Sequence, residues 1–117
     1  MKRKLTVAGE SKLENECRDY VEHGLQGKIV KTTIVGQNGW PDRIMAIPQC
    51  PVVFIEFKDK GKKLRKNQDR WRRWLHNNGF EHWSIDDWDT FVRMVEELVE
   101  YGRTEEKRKR DGDLNSM

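Results

Sequence analysis

The sequence predicts an α/β fold: a mixed four-stranded sheet flanked by helices, in the order helix, three strands, helix, strand, helix. Three observations carry that expectation. Apolar and β-branched runs at 28–35, 42–47 and 52–58 follow one another with only turn-forming residues between them, which reads as a meander. A helical period over 65–78 then separates the third run from a fourth at 80–85, as in a crossover that returns the chain to the sheet. Finally, Val52-Val53-Phe54-Ile55 is apolar on both faces until Glu56, so that strand belongs at the centre.

Each element has its own warrant. Met1 to Thr6 is a short basic lead. Leu13, Cys17, Tyr20 and Val21 recur at helical spacing, marking an amphipathic helix over 9–23 that Gly24 and Gly27 end. Ser11, followed three residues later by Glu14, matches a capping box and gives Glu14 a structural task. Lys28 to Val35 is a strand, and Gly36-Gln37-Asn38-Gly39 a flexible loop. Asp42 to Ile47 is a short strand, Pro48-Gln49-Cys50-Pro51 a turn, and Val52 to Lys58 the third strand. After a basic loop at 59–64, Arg65 to Asn78 is helical, with Gln68, Trp71 and Leu75 on one face and Trp74 beside it. Asn77-Asn78-Gly79 closes that helix and Phe80 to Ile85 is the fourth strand. Asp86 or Asp87 caps a last helix whose apolar stripe is Trp88, Phe91, Val92, Val95, Leu98 and Val99. Past Tyr101-Gly102 the chain is polar but for Leu114 and Met117, so the division is a domain at 1–102 and a charged tail at 103–117, disordered or ordered by a partner.

Bulk composition excludes more than it proves. With 23 basic against 20 acidic residues, the net charge of +3 is too mild to establish nucleic-acid binding. Its distribution says more: Lys58, Lys60, Lys62, Lys63, Arg65, Lys66, Arg70, Arg72 and Arg73 face only Asp59 and Asp69 in the same stretch. Such a patch attracts polyanions, although a solvated surface is as common a reason for a basic run. Cys17 and Cys50 lack metal-ligand spacing, and His23, His76 and His82 are scattered. No apolar run reaches transmembrane length and the start lacks a secretory apolar segment, so a soluble protein of a reducing cytoplasm is expected, with no membrane partner.

The chemistry gathers around Gly39-Trp40-Pro41-Asp42 and Phe54-Ile55-Glu56-Phe57-Lys58. Side chains alternate along a strand, so Glu56 and Lys58 share one face. Charges embedded in an apolar strand are costly unless they pair or meet a cation or substrate. A hairpin would set Asp42 beside Glu56, and two oxygen donors and an ammonium would then converge in the outline of a divalent-metal and phosphate site. Taken singly, Asp42 could cap a turn, Glu56 and Lys58 could be a strand ion pair, and Gln68 could be solvated. Gln68, however, falls on the buried stripe with Trp71 and Leu75, where a polar side chain needs a partner.

This series resembles the PD-(D/E)XK nuclease superfamily, and more narrowly the virus-type replication–repair nuclease (VRR-NUC) family. The residues that carry it are Glu10-Ser-Lys-Leu-Glu14, Gly39-Trp-Pro-Asp42, Phe54-Ile-Glu56-Phe-Lys58, Gly61-Lys-Lys-Leu64, Gln68 and Gly79-Phe80. Trp40 departs from the pattern, where many relatives have a small β-branched residue, and is expected to leave the chemistry untouched. The resemblance implies a restriction-endonuclease-like core in which Asp42, Glu56 and the Phe57 backbone carbonyl hold Mg2+ or Mn2+. Lys58 would activate the attacking water and offset transition-state charge, Gln68 would steady Lys58 or the water, and Glu10 would complete the metal's outer ligation in preference to Glu14. Lys60, Lys62, Lys63, Arg65 and Lys66 would contact DNA.

The function implied is a metal-dependent, structure-selective DNA endonuclease, phage-type and resembling a Holliday-junction resolvase in DNA repair, working on branched DNA as a homodimer. The last helix could build the dimer interface or pack on its own sheet. The alternative function is a catalytically inactive nucleic-acid-binding module on the same fold, which would be free to lose the Asp42, Glu56, Lys58 and Gln68 set. A base-specific restriction enzyme would need recognition elements that so short a chain hardly accommodates.

Overall fold

The computed structural model describes residues 9–33 and 36–115, with side chains described for 11–33 and 36–112. Helix α1 (Gly9–Asp19) runs into a π-helical turn at Tyr20–Gly24. Strands β1 (Lys28–Lys31), β2 (Arg43–Ala46) and β3 (Val53–Phe57) follow, then α2 (Lys66–Asn77), β4 (Glu81–Ile85) and α3 (Trp88–Asn115). The sheet order is β1-β2-β3-β4, with antiparallel pairs up to β3 and a parallel β3–β4 pair made possible by the α2 crossover. The α/β class, the meander and the central place of β3 are therefore as the sequence predicts.

One sheet face is the core. Leu13, Cys17 and Val21 project from the first helix onto Met45, Val53, Ile55 and Phe57 of the sheet, and Phe91, Val95 and Leu98 of α3 complete the same cluster. Ile55 is fully buried, so Ile55→Ala would cost about 2–5 kcal/mol through lost burial and a residual void. Burial pushes the Cys17 thiol up to about 12, helped by Glu16 and Glu14, so this sulfur is a core atom and not a nucleophile. The opposite face carries Phe54, Glu56 and Lys58, and α2 packs across β4 on that side.

Several expectations shift at element ends. Helix α1 is already under way at Gly9, so Ser11 sits inside it, exposed, and no capping box forms there. Glu14 is engaged elsewhere, as described below. Strand β1 stops at Lys31; Ile34 and Val35, like the basic lead at Met1 to Thr6, lie outside the described residues. Asp87 is the cap of α3, its Oδ2 accepting from the Thr90 N–H and hydroxyl at 2.9 Å each. Part of the α3 stripe packs on its own sheet: Phe91, Val95 and Leu98 are buried in the core cluster, whereas Trp88 is 37% exposed.

Helix α3 also does not stop at Gly102. A Cβ at Gly102 would lie 2.4 Å from the Gln49 carbonyl oxygen, so this glycine lets the helix cross the β2–β3 turn closely and does not end it. Residues 103–115, which composition assigns to a disordered tail, continue the helix. Ion pairs one turn apart, Arg103 with Glu100 and Arg108 with Glu105, suit that conformation.

Candidate active site

The β2–β3 register assembles the predicted acids. Arg43 pairs with Ile55, which sets Asp42, one residue earlier, opposite Glu56 at the end of the ladder. Directly opposed residues share a face, so both carboxylates lie on the face of Lys58. The burial differs in an informative way. Glu56 and Lys58 are buried, at 6% and 9% exposure, whereas the Asp42 side chain is 49% exposed. A buried acid and base thus stand behind an acid open to solvent. Phe57, between them in sequence, turns its ring into the core against Phe91.

Gln68 is the residue that the helix contributes, and it is buried as its place on the apolar stripe requires. Its Nε2 donates to Glu56 Oε2 at 3.2 Å, while its Oε1 accepts from the Arg65 N–H at 2.8 Å. The amide is held at both ends, so the first turn of α2 fixes the orientation of Glu56. The resemblance implied that Gln68 would steady Lys58 or the water; the hydrogen bonds formed go to Glu56 and to the helix start.

The loop carrying Asp42 is fastened from two sides. The Thr32 N–H donates to the Asp42 carbonyl at 2.9 Å and the Thr32 hydroxyl to the Pro41 carbonyl at 3.1 Å. On the other side Gly39, at φ +88°, lies so close to α2 that a Cβ would come within 2.7 Å of the Asn67 backbone. Trp71 Nε1 donates to the Asn38 carbonyl at 3.1 Å, and Trp40 packs edge-on against Trp71 and Phe54. The unusual Trp40 is therefore a fastener between loop, strand and helix.

Arg43 was not anticipated. Its Nη2 meets Glu14 Oε1 at 2.8 Å, its Nε meets Glu14 Oε2, and its Nη1 stands 3.3 Å from Asp42 Oδ2. Glu14's hydrogen bonds raise the Arg43 pKa further, with burial opposing. Glu14 is thus committed to a forked ion pair with Arg43. Glu10 falls in the first turn of α1, and its side chain lies outside those described. The signal for Arg43 was present: a basic residue directly follows the predicted acid.

Of the predicted DNA contacts, Lys62, Lys63, Arg65 and Lys66 are exposed on the loop and helix start beside Lys58. Lys60 is tied to Asp87 Oδ1 at 2.9 Å, and the Gly61 N–H donates to Asp86 Oδ2 at 2.9 Å. That bond to Lys60, with those from Thr90, holds the Asp87 carboxyl down at about 2. Two acids at the start of α3 therefore shape the basic loop.

Asp42, Glu56 and the Phe57 carbonyl are hard oxygen donors, and among the described residues no group of three or more His, Cys, Asp or Glu could hold a metal. One or two carboxylates with waters and substrate phosphate is how magnesium is commonly bound, so the donor set fits Mg2+ or Mn2+. Among the described residues no helix is long and apolar enough to cross a membrane.

No family model matches the sequence, and no curated protein matches it. Solved structures do match the fold. One, a VRR_NUC domain, superposes with a TM-score of 0.70 at 21% identity, covering 77% of this chain and 97% of that one. A second, a VRR_NUC domain protein, gives 0.63 at 14% identity, covering 81% and 91%. The chain therefore has the fold of VRR_NUC domains, as its motifs suggested.

Proposed function

We propose that the protein is a metal-dependent DNA endonuclease that hydrolyses phosphodiester bonds at branched structures, as a homodimer of the Holliday-junction-resolving kind. The observation that carries this reading is the convergence of Asp42, Glu56 and Lys58 on one sheet face, with Gln68 clamping Glu56. A structural ion pair would need neither the exposed Asp42 opposite Glu56 nor an amide fixed at both ends. The fold shared with VRR_NUC domains supports the same class of chemistry.

Asp42, Glu56 and the Phe57 carbonyl would hold Mg2+ or Mn2+, with Glu10 as an outer ligand. Such an ion polarises a phosphate oxygen and makes bound water a nucleophile near neutral pH. The chain supplies the rest. Lys58, a compact cation beside Glu56, orients the attacking water and offsets the negative charge that grows on the phosphate oxygens. Gln68 holds Glu56 in place through the reaction, which lowers the cost of reorganisation. Lys62, Lys63, Arg65 and Lys66 draw the phosphate backbone to the site, and these contacts position DNA without reading its bases.

The test is incubation of the purified protein with labelled four-way junction, flap, duplex and single-stranded DNA, each with Mg2+, Mn2+ or EDTA. Cleavage with either metal, none in EDTA, and preference for the branched substrates are expected. Cleavage that persists in EDTA overturns the mechanism, and binding without cleavage under any metal assigns the chain to a non-catalytic module. Light scattering should give twice the 14.0 kDa chain mass if the dimer is right.

A further inference from the structure

On the outer surface of α2, Lys66, Arg70 and Trp74 recur one turn apart, and all three are exposed. Trp74 is 50% exposed, and so is Phe80, in the turn that follows the helix. Their rings are within 14° of parallel, with centroids 6.3 Å apart. Neither is loosely held. Trp71 meets Trp74 edge-on at 6.0 Å, Phe54 meets Phe80 at 6.4 Å, and Trp40 joins Trp71 to Phe54 from behind. A closed circuit of aromatic rings thus presents two half-exposed faces on a rigid base.

The surroundings decide what such a ledge suits. Isolated surface aromatics are ordinary, but this pair continues a line of cations. The one acid on that part of α2, Asp69, is neutralised by Arg72 and Arg73. Beyond Phe80 the exposed Glu81 accepts from Trp83 Nε1, so phosphates are favoured on the α2 side only. Phe54 precedes Glu56 by two strand residues, about 7 Å. Trp74 follows Gln68 by six helical residues, about 9 Å. The ledge therefore sits against Phe54 and less than two turns along α2 from Gln68, on the two elements that carry the site. A cationic track leading to fixed aromatic faces is how proteins hold unpaired strands, because every base has a face to stack. Bases inside a duplex are already stacked and cannot present theirs.

We propose that Trp74 and Phe80 stack an unpaired base of a DNA strand whose phosphates run along Lys66 and Arg70 toward Glu56 and Lys58. This rests on the DNA-cleaving reading and narrows it, because the substrate must then carry single-stranded character beside the cut. Flaps, overhangs and opened branch points meet that condition, and a closed duplex does not.

The experiment is a fluorescence-anisotropy titration in EDTA, comparing wild type, Trp74→Leu and Trp74→Phe. Each is titrated with a short labelled single strand and with the same sequence as a blunt duplex. Trp74→Leu keeps apolar bulk without a π face, and should weaken the single strand about tenfold relative to the duplex. Trp74→Phe should retain most of the preference, and Phe80→Leu should repeat the loss from the second ring. Melting curves on the same proteins verify that each variant is folded. Equal weakening of both probes, or no weakening, overturns the ledge. A fall in light-scattering mass with both probes weakened together assigns this face to contact between two copies and overturns it as well. Binding is read without cleavage, so the two readings fail separately. A protein that prefers single strands through Trp74 yet never cuts with metal loses only the nuclease reading. One that cuts, but whose probe preference is unchanged in Trp74→Leu, loses only the ledge.

Discussion

Gly39→Ala isolates the fastening of the Asp42 loop to α2, and Gly36→Ala provides its internal control. The two glycines have nearly the same backbone, at φ +88° and +86°. A Cβ at Gly36 meets nothing within 4 Å, whereas at Gly39 it falls 2.7 Å from both the carbonyl carbon and oxygen of Asn67. Both substitutions carry the left-handed backbone penalty of about 1–2 kcal/mol. Both also restrict the unfolded chain equally, so that effect cancels between them. Only Gly39→Ala forces two backbones apart, and overpacking of that kind costs about 1–3 kcal/mol more. The difference should appear in urea unfolding as a lower midpoint with unchanged slope, and as a further fall in Tm of about 4–12 °C. Cleavage should suffer beyond stability. Gly39 lies three residues before Asp42, and Asn67 is the neighbour of Gln68, so parting them moves one carboxylate from the other. A misplacement of about 1 Å can cost about 10²-fold in rate, measured by single turnover at a temperature where both variants are folded. Equal destabilisation of the two variants, within about 0.5 kcal/mol, would refute the close approach as a cause.

Other outcomes follow from the same geometry. Glu56→Gln should abolish metal-dependent cutting while a filter-binding titration in EDTA stays near wild type, because an amide of the same shape still fits beside Gln68 but is a poor ligand. Lys58→Ala should lower single-turnover cleavage by about 10²-fold or more with little loss of Tm, and Lys58→Arg should stay badly impaired, since a planar guanidinium cannot replace a compact ammonium. Near-normal cleavage by either would remove Lys58 from the chemistry. Replacing Lys62, Lys63 and Lys66 with Ala should weaken binding of all sequences alike and flatten the log–log salt slope by about 2–3; an unchanged slope would make the loop a mere solvated surface. Burial first, and Arg72 second, lower the His82 pKa from 6.5 to about 4. The unfolded chain then binds the extra proton first, so the stability from neutral His82 is complete above pH 6.5 and lost as pH falls toward 4. Discounted for partial solvent screening, the loss is about 1–2 kcal/mol. Urea melts across that window should show it, and His82→Gln should flatten it.

The two outcomes for α3 show how sequence reading divides. Its apolar stripe was legible because Phe91, Val95 and Leu98 follow the helical period, and period is a local property. Its length was not. Gly102 reads as a stop on propensity, but its packing on the Gln49 carbonyl depends on a turn far away in the chain. The same holds at the other end, where Ser11 and Glu14 have capping-box spacing while Arg43, distant in sequence, claims the Glu14 carboxylate.

By itself the sequence determined the element order, the central β3, and Glu56, Lys58 and Gln68 as polar residues that fall on buried faces. Each of those inferences needs only spacing and the cost of burying a polar group. Tertiary structure alone decided the partners: Gln68 on Glu56 and not on Lys58, Arg43 between Glu14 and Asp42, Lys60 on Asp87, and Trp40 joined to Trp71, Trp74 and Phe80 in one circuit. The reason is that spacing along a chain specifies which face a side chain takes. What meets it there is set by the sheet register and by the helix crossing above it, and those are properties of the whole packed chain.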